Sequence, residues 1–103
     1  MLMPTIVQFD FPFNGPFGKE LADSLKDLAK SIADEPGLIW KIWTENPETS
    51  EAGGIYLFKN DRTAQNYIEM HSARLAEFGV ENANVKTFQV NERLTQICGG
   101  PIE

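Results

Sequence analysis

The sequence predicts one α+β domain with elements in the order βαββαβ. Two observations carry this. The apolar residues switch repeatedly between a period of two and a period near 3.6, and turn residues stand at each switch. The chain has 103 residues, the size of a single domain, so residues 1–103 are read as one unit. Its 9 Lys+Arg stand against 15 Asp+Glu, a formal charge of -6. That balance argues against nucleic acid or an acidic membrane as partner, since both attract excess Lys and Arg.

Thr5 to Phe13 alternates, with Val7, Phe9 and Phe11 on one face and Ile6, Gln8 and Asp10 on the other, and reads as a strand. Asn14-Gly15-Pro16 stops it, because Gly accepts positive φ and Pro presets φ for a helix start. From Gly18 to Asp34, Leu21, Leu25, Leu28 and Ile32 recur at helical spacing. Lys19, Asp23, Lys26, Asp27 and Lys30 form the solvated side, and Glu35-Pro36-Gly37 ends the helix. Leu38 to Glu45 is the second strand, Asn46 to Ser50 a hairpin loop, and Glu51 to Lys59 the third strand, whose Gly53-Gly54 suggests a bulge or close backbone approach. Asp61 is the expected N-cap of a helix reaching Phe78, closed by Gly79. Asn82 to Asn91 is the fourth strand, followed by a tail. Right-handed crossovers then give a ferredoxin-like antiparallel four-stranded sheet with both helices on one face.

Two helices cover only one face of such a sheet, yet both faces read apolar. The alternation places Leu38, Trp40 and Ile42 on one side of the second strand, and Ile39 and Trp43 on the other. Ile55 and Leu57 oppose Tyr56 and Phe58 on the third. An uncovered apolar face calls for a second sheet, and a two-fold homodimer supplies one, with the tail free to wrap the partner. The N-terminus, Met1-Leu2-Met3-Pro4, lacks the features of a secretory signal, and no apolar run is long enough to span a membrane. The lone Cys98 excludes an internal disulfide and points to a reducing, cytoplasmic setting.

His71 is the only histidine. Ala64, Tyr67, Ile68, His71, Leu75 and Phe78 fall in an arc of roughly 100°, so His71 should face the sheet. It is either a histidine satisfied by a carbonyl or tyrosine, or a general base in a pocket between helix and sheet. Arg74, one turn on, either holds an anionic substrate or pairs with Glu77 on the surface. Two tryptophans at opposite parity exceed what so small a core needs, so some strand aromatics line a cavity or a dimer face. Asp10 and Gln8 are a satisfied polar pair or a buried acid near a pocket.

Other chemistries fail on residue arithmetic. One His and one Cys far apart make no metal site, and Ser72 beside His71 makes no hydrolase triad. The turn from Phe13 to Gly18 lacks the lysine and glycine spacing of a phosphate loop. Glu51 opens the third strand where an RNA-recognition motif needs a basic residue.

Several stretches carry a family likeness: Phe13-Asn14-Gly15-Pro16-Phe17-Gly18, Glu35-Pro36-Gly37 with Trp40-Lys41-Ile42-Trp43-Thr44-Glu45, Glu51 to Phe58, His71-Ser72-Ala73-Arg74-Leu75, and Val90-Asn91-Glu92 with Gln96-Ile97. In collinear order over nearly the whole chain, they resemble the bacterial YdhR-type monooxygenases. The resemblance implies a dimeric α+β barrel, similar to the monooxygenases of antibiotic biosynthesis, and oxidation of aromatic compounds. It implies no flavin, haem or metal cofactor: a phenol or hydroquinone anion would reduce dioxygen directly. Trp40, Trp43, Tyr56 and Phe9 are then the expected pocket walls, His71 the base, and Arg74 or Asn14 the anion's partner. A non-catalytic small-ligand binder and an isomerase on the same barrel remain alternatives.

Overall fold

The strands are β1 (Thr5–Pro12), β2 (Leu38–Asn46), β3 (Glu51–Phe58) and β4 (Asn84–Gln89), and the helices are α1 (Gly18–Ser24), α2 (Lys26–Ala33), α3 (Asp61–Glu77) and α4 (Glu92–Ile97). These come from a computed structural model that describes residues 4–80 and 82–102. The reading of Met1, Leu2 and Met3 as lacking a signal lies outside the described residues. All four strands pair antiparallel in the order β2-β3-β1-β4, the ferredoxin-like arrangement expected. Val7 and Phe9 of β1, Tyr56 and Phe58 of β3, Ile32 of α2, and Ala64, Tyr67 and Leu75 of α3 close into one core on the helical side of the sheet.

The structure departs from the sequence reading in five places. The first helix is broken at Leu25, whose φ of -105° and ψ of 12° are not helical. Ser24 Oγ donates to the Glu20 carbonyl at 2.9 Å, the back-bonding that bends a helix at serine. The N-cap of α3 is Asn60, not Asp61: its Oδ1 accepts from the Thr63 amide at 2.9 Å. Asp61 instead accepts from Thr5 Oγ1 at 2.8 Å and Gln89 Nε2 at 3.0 Å, tying the helix start to β1 and the end of β4. Gly79 does cap the helix. Its amide bonds the Ala76 carbonyl at 3.0 Å and that of Val80 the Leu75 carbonyl at 2.9 Å, the Schellman pattern. Phe78, expected to face the sheet, is 68% exposed because it stands at the cap, past the last packed turn.

The two remaining departures matter for the site. A bulge between Leu38 and Trp40 re-phases β2, so Leu38 packs on the helical core while Trp40 pairs with Leu57 on the opposite face. The alternation had put Leu38 and Trp40 on one side. The tail, in turn, contains α4, capped by Asn91 Oδ1 on the Leu94 amide at 3.1 Å. It returns over its own chain: Trp40 Nε1 donates to the Pro101 carbonyl at 2.7 Å. On the face without helices, Ile42 and Phe88 stay about half exposed (55% and 50%).

Candidate functional site

Helix α3 sets the site. Tyr67, His71 and Arg74 follow at i, i+4 and i+7, so one face presents all three toward the sheet. Tyr67 and His71 are buried. Their rings stack, with centroids 4.9 Å apart and planes 20° apart. From below, Phe9 of β1 meets the imidazole edge-on at 5.1 Å, and Tyr56 of β3 lies 6.3 Å away. Tyr67 donates to the Tyr56 hydroxyl at 3.2 Å. Burial is the main cause that raises both phenols, Tyr67 to about 12, so both stay protonated at neutral pH.

Arg74 decides the state of His71. Its Nε and Nη2 stand 3.2 and 2.9 Å from Nδ1. A guanidinium only donates, so Nδ1 must accept and the proton of the neutral ring sits on Nε2. Burial first, then the charges of Arg74 and Lys41, hold the imidazole down to about 3. At neutral pH His71 is therefore an N–H donor whose Nδ1 lone pair is taken.

A lysine completes the cluster. Lys41 of β2 is paired with Tyr56 and shares the helical face with Trp43. Its Nζ lies 3.2 Å from the Trp43 ring centroid and 4.6 Å from that of Tyr56. Desolvation, with the like charge of Arg74 second, lowers the amine from 10.5 to about 7. Trp43 connects the cluster to a cleft of about 450 Å³ between α1, α2 and the sheet, lined chiefly by apolar side chains that include Phe11, Phe13, Leu21, Leu25 and Trp43.

Of the expected site residues, the structure brings together His71, Arg74, Phe9 and Tyr56, with Trp43 beside them through Lys41, but only Trp43 among them lines the cleft. It does not bring in Trp40, which the bulge turns to the other face, where its indole N–H is taken by Pro101. Asn14 is exposed in the turn before α1 and is not part of the cleft wall. Asp10 sits on the face away from His71, within 3.5 Å of Gln8 Nε2 and 3.4 Å of Asn84 Nδ2. Cys98 is exposed. Lys41 and Tyr67 were missed as site residues, although a lysine inside the apolar run Leu38 to Trp43 was a visible signal. Among the described residues, no three His, Cys, Asp or Glu side chains cluster as for a metal, and no helix is long and apolar enough to cross a membrane.

The buried imidazole also makes a stability prediction. The unfolded chain takes up this proton near 6.5, but the native state not until about 3. Its contribution is complete above pH 6.5 and is lost as pH falls through that window, by about 1.4 kcal/mol per unit. In His71→Gln that part of the slope should vanish in urea melts between pH 6.5 and 4.5, a window this ionisation defines. Parallel slopes for variant and wild type would show that His71 is not held neutral.

Solved structures with the same architecture exist at low identity. A protein of unknown function from Nitrosomonas europaea superimposes with a TM-score of 0.65 at 14% identity, covering 87% of this chain and 91% of that one. Protein SO0527 from Shewanella oneidensis gives 0.62 at 14% identity, covering 87% and 93%. A "putative antibiotic biosynthesis monooxygenase" from Deinococcus radiodurans gives 0.57 at 13% identity, covering 84% and 92%. These likenesses show the fold. No curated protein sequence matches the chain. Residues 6–101, from β1 through α4, match the family model described as "Putative mono-oxygenase ydhR", and the chain belongs to that family.

Proposed function

We propose that the protein is a mono-oxygenase that needs no cofactor and oxidises small phenol- or hydroquinone-type compounds with dioxygen. The observation that carries this reading is the apolar cleft whose Trp43 wall is backed by the cationic Lys41. Behind it, Arg74 and the N–H donor His71 complete a site suited to an aromatic anion. Such a reaction balances without an outside reductant. A phenol with hydrogen at its reactive ring carbon, plus dioxygen, yields a quinone and water. One oxygen atom forms the new C=O, the other leaves in water, and the substrate supplies all four electrons. The protein's part is to hold the ring against apolar walls, favour its anion and keep bulk water away.

The working unit is proposed to be a homodimer closed through the helix-free sheet face. Exposed Ile42 and Phe88 on that face, and Leu94 and Ile97 of α4, support it. Light scattering should give twice the 11.6 kDa chain mass, and a monomer at micromolar concentration would rule the pairing out. For the reaction, purified protein with 1-naphthol should consume one dioxygen per quinone formed, with one labelled oxygen from ¹⁸O₂ in the product. Saturable naphthol binding with no oxygen uptake above buffer would instead leave a binding module.

A further inference from the structure

We propose that the ε-amine of Lys41, and not the His71 imidazole, takes the proton of the phenolic substrate. This rests on the mono-oxygenase reading above. The only histidine is unsuited, since Arg74 occupies its acceptor nitrogen. Tyr56 and Tyr67 keep their own protons, and a guanidinium does not give one up. Lys41 remains.

Its placement suits the task. β2 aims it to the helical side, in line with Trp43 two residues on, so the amine rests on a ring that forms a wall of the cleft. Room for it comes from Gly54, the partner of Trp43 on β3: a Cβ there would stand 2.6 Å from Lys41 Cε and 3.2 Å from a Tyr56 ring carbon. The charged and titratable groups facing the amine are Tyr56 of β3 and Arg74 and His71 of α3, with Lys26 and Glu45 lining the cleft beyond Trp43. Burial and the like charge of Arg74 both favour the free amine and bring it to about 7, where a base is half available at neutral pH. In the step, the Nζ lone pair forms a bond to the phenolic hydrogen and the O–H pair stays on oxygen. The proton returns when peroxide breakdown releases hydroxide, which leaves as water.

The test is the ultraviolet difference spectrum of 1-naphthol bound to the intact protein under argon, followed across neutral pH. In the wild type the bound naphthol should ionise well below its range in water. In Lys41→Met it should stay un-ionised across neutral pH, while in His71→Gln it should still ionise, at a raised midpoint because one donor to the anion is changed. In air, Lys41→Met should lose roughly 10²–10⁴-fold in oxygen uptake. Removing a desolvated amine should leave its melting point no lower than the wild type's, and Lys41→Gln serves should the methionine variant fail to fold. Unchanged ionisation in the Lys41 variants overturns the proposal, and loss in His71→Gln alone returns the role to histidine. Ionised naphthol without oxygen uptake in the wild type sinks the oxygenase reading but leaves Lys41 as base. No naphthol binding at all sinks both.

Discussion

Phe9→Ala is expected to destabilise the protein by about 3–5 kcal/mol, the usual cost of emptying a phenylalanine site in a packed core. Phe9 is 1% exposed in the middle of β1, the central strand flanked by β3 and β4. Its ring stands edge-on to Tyr56, Tyr67 and His71, at 5.8, 6.4 and 5.1 Å, so its loss removes three aromatic contacts besides its own burial. The surrounding rings come from different elements, which limits how far the site collapses. Total stability in a domain of this size is of order 5–15 kcal/mol, so the change consumes a large share of it. Urea melts at pH 7 measure it. A loss under about 1 kcal/mol would mean that the cavity closes and that Phe9 does not hold the imidazole in place.

Arg74→Met is expected to slow turnover strongly. Methionine keeps much of the apolar stem, so packing against α3 should survive. What disappears is the fork on Nδ1 and one of the two cations of the cluster. Removing one preorganised group of this kind typically costs roughly 10²–10³-fold in rate. Two signs should accompany that loss. The imidazole is released from its single tautomer, visible in the ¹⁵N spectrum as proton occupancy on both nitrogens. The His71 and Lys41 pKa values both rise, because Arg74 lowers each of them, though burial remains the larger cause. Turnover and tautomer both unchanged would show Arg74 to be a surface residue of no account in the chemistry.

The sequence by itself determined the βαββαβ order, the antiparallel sheet and the buried face of α3, because each rests on local repetition, and the family from motifs in collinear order. A period of two or 3.6 reports which side of an element is hidden whatever hides it, as Val7 and Phe9 on β1 and Tyr67, His71 and Leu75 on α3 illustrate. Tertiary structure alone decided which of those hidden residues meet. The bulge at Leu38/Trp40 moves Trp40 out of the site by one residue of register, and strict alternation has no term for it. The bond from Trp40 to Pro101 joins positions 61 apart in sequence, where no periodicity reaches. The chemistry of His71 was likewise illegible. Its spacing shows that it is buried, but its protonation depends on Arg74 lying across Nδ1 and on Lys41 arriving from another strand. The same three-dimensional neighbours lower the Lys41 amine to about 7, since desolvation and charge repulsion are sums over space and not over sequence.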